Sequence, residues 1–226
     1  MNQAFASYFQ DTFFPVKQDF DAFIGCLTKP IKRSIRVNTS KISVDELVKR
    51  LENQGYILTP TFNPTVFYIE RGEDFLPLDN RLGYAIEHLT GLFYIQELGA
   101  SSSVHYLTDG KIHPEPLLIL DMASSPGGKT TQLAEHYPNS FIVANDASND
   151  RIAQLISNIE RMGCTNIGIT HYPGAYYGRF VETFDRVLLD APCSGEGTGF
   201  KSLDGLKYWS LKNVKNIAKI QTQLFE

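Results

Sequence analysis

Leu117-Leu118-Ile119-Leu120-Asp121-Met122-Ala123-Ser124-Ser125-Pro126-Gly127-Gly128-Lys129-Thr130 is the stretch whose reading decides the fold. An apolar run closed by a carboxylate, a glycine-rich turn and a helix-like segment (130–137) follow one another directly. Strand, turn and helix in that order make a nucleotide site, because the amides of the turn and of the helix N-terminus converge on whatever lies in the crook. Two nucleotide chemistries compete for it. Ala123, four residues and then Gly128-Lys129-Thr130 fit the loose form of a phosphate loop, and Val187-Leu188-Leu189-Asp190 could end in a magnesium-holding acid. Against that reading, Pro126 has no amide hydrogen to offer a phosphate, and Ala123 stands where the strict pattern asks for glycine.

The next apolar run, Phe141-Ile142-Val143-Ala144-Asn145-Asp146, favours an adenosyl ligand. Its terminal Asp146 lies 17 residues past Lys129, near the offset of about 20 expected of an acid that grips ribose hydroxyls. A phosphate loop has no use for an acid there. The dinucleotide pattern G-x-G-x-x-G is absent, whereas S-adenosylmethionine carries no phosphate and suits the Ser-Pro-Gly-Gly turn. An ordinary strand-to-helix turn without a ligand is the remaining reading, since Gly-Gly turns are common.

Beyond this point the pattern keeps alternating. Strand 117–121, helix 129–137, strand 140–145, helix 148–162 and strands at 166–170 and 184–190 are expected, then a polar loop and a helix from about Leu211. Such alternation means a parallel sheet covered on both faces. Upstream, Ser43 to Gln54 reads as a helix with a Ser43/Glu46 capping box and Gly55 as its stop. Strand-like runs at 34–38 and 66–69 flank it, and 87–107 is expected to be helical in its second half. Thr108 to Pro116 reads as a linker. The expected organisation is a small α+β domain (1–107) that docks RNA, the linker (108–116), and the front part of a Rossmann-like domain (117–226). With strand 184–190 as an open edge, weak stability or self-association is expected of the isolated chain.

The 226 residues suffice for two modest domains, and 42% apolar content excludes a disordered chain. No run reaches membrane-spanning length, and Met1–Gln10 lacks the layout of a secretory signal. Cys26, Cys164 and Cys193 have no metal-ligand spacing, so neither a metal nor a disulfide framework is expected, and a cytoplasmic location is the default. A net charge of −4 is not that of a general nucleic-acid coat. Cations are clustered, though: Lys29, Lys32, Arg33, Arg36 and Lys41 occur without an acid between Ala22 and Val44, and Lys201, Lys207, Lys212, Lys215 and Lys219 face Asp204 alone. Local basic faces on an acidic body suit docking of one polyanion in one orientation, with 29–41 the expected contact; a solvated face is the bland alternative.

Asp190-Ala191-Pro192-Cys193-Ser194-Gly195 falls at the carboxyl end of the fourth strand, on the rim that carries the glycine turn. Carbon 5 of a pyrimidine is too weak a nucleophile to take a methyl group directly, but a thiolate adding to carbon 6 makes it one. A cysteine here therefore favours carbon methylation over amine methylation; a buried inert cysteine is the alternative.

Together, Asp121…Ser125-Pro126-Gly127-Gly128-Lys129, Asn145-Asp146…Arg151 and Asp190-Ala191-Pro192-Cys193-Ser194-Gly195-Glu196-Gly197 resemble the Nop/Sun family of RNA cytosine-C5 methyltransferases. Arg36-Val37-Asn38-Thr39 and Gly91-Leu92-Phe93-Tyr94-Ile95-Gln96-Glu97 resemble its N-terminal segments, so the likeness covers nearly the whole chain. The resemblance implies a Rossmann-like S-adenosylmethionine-dependent enzyme acting on RNA, in particular 16S rRNA of the small ribosomal subunit. It implies that Ala123, Ser124, Ser125, Pro126, Gly127, Gly128 and Lys129 wrap the methionine end of the cofactor and that Asp146 takes the ribose. Asp190 would line the methyl-transfer pocket and hold the cytosine edge, with Lys129 nearby, and Cys193 would help release product. The family's attacking cysteine stands in a Thr-Cys motif that these residues do not contain, so the chain is expected to bind cofactor without turnover. The family often has an acid after the third strand on the adenine side; here Pro173 occupies His171-Tyr172-Pro173-Gly174. A phosphate-loop NTPase and a catalytically silent RNA-binding adaptor are the rival classes.

Overall fold

The computed structural model describes residues 2–72, 82–198 and 206–226. It divides into two compact units, Met1–Ile31 with Ala191–Glu226, and Lys32–Asp190.

The first unit is helical: α1 (Gln3–Phe13), α2 (Lys17–Leu27) and, from the far end of the chain, α8 (Leu211–Phe225). Phe5, Tyr8, Phe9 and Phe13 recur at helical spacing on α1, and Phe5 is fully buried against Trp209, edge to face at 5.5 Å. Asn2 caps α1 through its side-chain oxygen while its amide nitrogen donates to the carbonyls of Lys207 and Trp209.

The second unit holds two sheets. In chain order its elements are β1 (Ser34–Val37), α3 (Val44–Glu52), β2 (Tyr56–Pro60), β3 (Val66–Arg71), α4 (Ile86–Leu89), β4 (Phe93–Ile95), α5 (Leu98–Leu107), β5 (Leu118–Asp121), α6 (Gly128–His136), β6 (Phe141–Asn145), α7 (Asn149–Met162), β7 (Ile167–Thr170) and β8 (Arg186–Leu188). The first sheet is antiparallel in the order β2-β3-β1-β4, and α3 seals it with Leu47 and Leu51 against Ile35, Val37 and Phe93. Ser43 caps α3 by accepting from the Glu46 N–H, as its sequence expects. Leu47 is fully buried, and Leu47→Ala is expected to cost about 3 kcal/mol of unfolding free energy, read from urea melts; a loss within error would mean this core does not close as described.

The second sheet is parallel throughout, in the order β7-β6-β5-β8, with Leu118 opposite Phe141 and Ile119 opposite Arg186. This α/β layout places the carboxyl ends of β5, β6 and β8 on one rim, where ligands of such sheets bind. Segment 108–116 lies within the second unit, where His113 N–H donates to the carbonyl of His136 at 2.7 Å. Among the described residues no helix is long and apolar enough to cross a membrane, and no His/Cys/Asp/Glu group is placed to hold a metal.

Candidate functional site

β5 ends on Asp121, which is 1% exposed. Thr130 Oγ1 donates to its Oδ2 at 2.7 Å, while the buried Oδ1 makes no well-formed hydrogen bond among the described residues. Burial pushes the Asp121 carboxyl up to about 7; the Thr130 hydroxyl, the Lys129 charge and, least of all, the Ala123 N–H oppose that rise, and Asp190 adds to it. The helix that follows begins without a side-chain cap: Gly127, at φ 101°, occupies the cap position of α6. A side chain at Gly127 would be strained at that angle and would meet Leu155 Cδ1 at 3.1 Å. The first amides of α6 thus point toward the rim without a protein acceptor supplied by a cap.

The turn itself is held from several sides. Ser124 donates its N–H and its hydroxyl to the carbonyl of Asn145 at 2.8 and 2.9 Å. Ser125 N–H donates to Asp146 Oδ2 at 3.1 Å, and the Arg151 guanidinium donates to the Ser125 carbonyl while pairing with Asp146 at 3.5 Å. The Pro126 carbonyl accepts from Asn158 Nδ2 at 2.9 Å and from the Tyr94 hydroxyl at 3.4 Å. Asp146 is 3% exposed, and its other oxygen accepts from Ser148 N–H at 2.9 Å. Its carboxylate therefore shapes the turn directly. A carboxylate has about four acceptor sites, so capacity remains for a ligand hydroxyl.

At the end of the β8 segment Lys129 Nζ donates to Asp190 Oδ2 at 2.5 Å, with the Asp190 side chain 56% exposed. Ala123 to Lys129, Asp146 and Asp190 thus lie in one unit, at the carboxyl ends of neighbouring parallel strands. Cys193 is exposed and belongs to the other unit, where the neighbouring Pro192 carbonyl accepts from Gln221 Nε2 of α8 at 2.8 Å. After β7, Asn145 clasps Tyr172 by accepting from its N–H and donating to its carbonyl, both at 2.9 Å, and Pro173 opens a 3-10 turn over Gly174–Arg179.

Of the basic segment 29–41, Lys29, Lys32 and Arg33 are exposed as a contact surface would require, whereas Arg36 and Lys41 are engaged within the unit. Arg36 is 1% exposed, inside the unit rather than on its surface, and Lys41 Nζ donates to the carbonyls of Thr90 and Arg161 at 2.9 and 2.8 Å. Lys32 pairs with Glu70 at 3.3 Å. A cation in a strand reads as solvated from composition alone; all four residues of β1 are buried, which only the sheet pairing reveals. In the other basic stretch Lys207, Lys212, Lys215 and Lys219 are exposed, and Lys201 and Asp204 lie outside the described residues. The local reading of the sequence also missed Thr130, which holds Asp121, and the grip of Tyr94 and Asn158 on Pro126; none carries a spacing that announces it.

The chain matches the family described as 16S rRNA methyltransferase RsmB/F over residues 111–226, and the N-terminal domain of 16S rRNA methyltransferase RsmF over residues 1–98. It is 41% identical over 215 residues to the ribosomal RNA small subunit methyltransferase F of Aeromonas hydrophila, covering 94% of this chain and 44% of that protein. The enzyme of the same name from Klebsiella pneumoniae is 44% identical over 216 residues, again with 94% and 44% covered. The chain therefore spans less than half the length of these relatives. A solved methyltransferase homologue from Pyrococcus horikoshii superposes with a TM-score of 0.77 at 32% identity, covering 96% of this chain and 67% of that one.

Proposed function

The chain belongs to the 16S rRNA methyltransferase RsmB/F family, and from that premise we propose that it forms the cofactor-binding part of an enzyme methylating carbon 5 of a cytosine in small-subunit ribosomal RNA. One observation carries the choice of ligand: an uncapped helix N-terminus beside a buried carboxylate oxygen, Asp121 Oδ1, that makes no well-formed hydrogen bond among the described residues. An amino acid zwitterion fits both, its carboxylate at the amides of α6 and its ammonium at Asp121 Oδ1. A nucleoside triphosphate fits the amides but has no cationic group to offer the Asp121 carboxyl. S-adenosylmethionine ends in such a zwitterion and, when bound, supplies an electrophilic methyl group.

The residues then divide the work. Ala123 to Lys129 hold the methionine end, and Asp146 accepts from the ribose hydroxyls with the acceptor capacity its turn contacts leave. Asp190, fixed by Lys129 at 2.5 Å, accepts from the exocyclic amine of the cytosine, the pairing by which a carboxylate reads that base. The base must leave its stack to reach such a pocket. Cys193 assists product release. Cys164 does not qualify as the attacking thiol, because burial and the nearby Glu135 push it up to about 11. No Thr-Cys pair occurs in these residues, and cofactor binding without turnover is the behaviour proposed for them. RNA phosphates would meet the row Lys212, Lys215 and Lys219 on α8, exposed cations at helical spacing. A cytoplasmic site of action goes with that substrate.

Calorimetric titration with S-adenosylmethionine tests the reading, with magnesium–ATP and Asp146→Ala alongside. Saturable binding is expected, weakened about ten-fold or more in the variant because both the turn and the ribose lose a carboxylate, a change of at least ~1.4 kcal/mol. Silence toward S-adenosylmethionine from a folded sample, or saturable magnesium–ATP binding, would overturn it.

A further inference from the structure

Arg36 sits on β1 of the antiparallel sheet, yet its guanidinium is spent on the helix that carries the cofactor turn. Nη2 donates to Thr131 Oγ1 at 2.8 Å and to the Gly128 carbonyl at 3.3 Å, Nη1 pairs with Glu135, and Nε donates to Gln96 Oε1 at 2.9 Å. Gly128, Thr131 and Glu135 form one stripe of α6, spaced i, i+3 and i+7. A planar fork that touches three turns of a helix at once fixes its rotation as well as its depth. Gly128 is pressed from the same sheet: an added Cβ there would meet Tyr94 Cε1 at 3.3 Å and Gln96 Nε2 at 3.5 Å.

We propose that Arg36 is a positioning residue for the cofactor, acting through α6 to set where the amides of Gly128 and Lys129 face the rim. The inference rests on the adenosyl reading of the site. A purely structural role, neutralising buried Glu135, is the alternative, and it makes a different prediction. An ion pair serving only stability can be exchanged for apolar side chains of similar volume with little loss of fold. Contacts with Thr131 and the Gly128 carbonyl cannot be replaced that way.

The test uses Arg36→Met/Glu135→Leu, Thr131→Val, and Leu47→Ala as a control that weakens the distant α3 core. Two readouts are taken: calorimetric binding of S-adenosylhomocysteine and amide hydrogen exchange of the ligand-free protein at Thr131, whose N–H donates to the Gly127 carbonyl at 2.9 Å. The double variant, which leaves the bond of the Thr131 hydroxyl to the Gly127 carbonyl at 2.8 Å in place, is expected to fold, to bind about ten-fold more weakly and to exchange faster at Thr131; Thr131→Val, which keeps the ion pair but loses that hydroxyl bond as well as the Arg36 contact, should show both effects at about three-fold or more. Leu47→Ala should melt earlier with unchanged affinity. Wild-type affinity and wild-type exchange in either Arg36-contact variant would overturn the proposal. Should the wild type itself fail to bind, the adenosyl reading falls while the exchange measurement still decides whether Arg36 fixes the first turn of α6.

Discussion

Gly91→Ala is expected to destabilise the protein by about 4 kcal/mol, lowering the melting temperature by roughly 10 °C. Gly91 has φ +71°, and a Cβ built on it would lie 1.9 Å from the Arg161 carbonyl oxygen and 2.7 Å from its carbon. The left-handed conformation alone costs an alanine about 1–2 kcal/mol. The collision adds more, because both atoms are backbone and no rotamer relieves it; overpacking of this kind costs about 1–3 kcal/mol. Backing away would break a cluster of bonds. Asn38 Nδ2 donates to the carbonyls of Gly91 and Met162, both at 2.9 Å, and Arg161 Nη1 donates to the His88 carbonyl at 2.8 Å. Lys41 joins the same corner, satisfying a last-turn carbonyl of α7. Gly178→Ala, with nothing within 4 Å of its added Cβ, is the control and should leave stability within about 0.5 kcal/mol. Equal melts for the two variants would mean that α7 and the turn before β4 do not meet as described.

That corner also marks where sequence reading stopped. The parallel sheet was legible: apolar runs closed by Asp121 and Asn145-Asp146 became β5 and β6, and the alternating helices α6 and α7 appeared within a residue or two of expectation. So were the capped helix α3 and the glycine turn. All of these are local signals of period, capping and turn chemistry. The relation of 32–107 to 117–190 was not legible, because it depends on buried polar side chains reaching across long separations. Arg36 to Glu135, Asn38 to Met162 and Lys41 to Arg161 each span about a hundred residues or more of chain, and none disturbs the pattern around it. A cation in a sequence reads as surface by default. Composition placed the RNA contact at 29–41 for that reason, whereas two of its five cations fasten the antiparallel sheet to the elements of the cofactor site. The expected linker 108–116 likewise has the turn residues of a boundary but runs inside one compact unit.

The second large effect should come from pH. Asp121 holds its proton in the folded protein up to about 7, whereas an unfolded aspartate loses it near 3.8. Between those values the folded state binds more protons than the unfolded one, so stability falls as pH rises from about 4 to 7 and levels off above. About three pKa units at ~1.4 kcal/mol each bound the effect at about 4 kcal/mol. Other groups slope differently: burial holds His88 and His136 below the ordinary histidine value, which makes stability rise with pH, and burial raises Glu135 against the pull of Arg36. A single pH profile would mix them. The difference between wild type and Asp121→Asn isolates Asp121, since an amide does not titrate and the other groups are shared. Urea melts at pH 5 and pH 8 should therefore show the wild type losing about 2–3 kcal/mol of stability relative to the variant at the higher pH, since only the two units between pH 5 and 7 fall inside that window. The groups facing Asp121 set the remaining control: Lys129→Met removes the nearest cation and should deepen the slope, because the charged carboxylate then lacks its one stabilising neighbour of opposite sign. A difference that is flat across that range would mean Asp121 is already ionised at pH 5, its burial compensated by the Thr130 hydroxyl, the Lys129 charge and the Ala123 N–H.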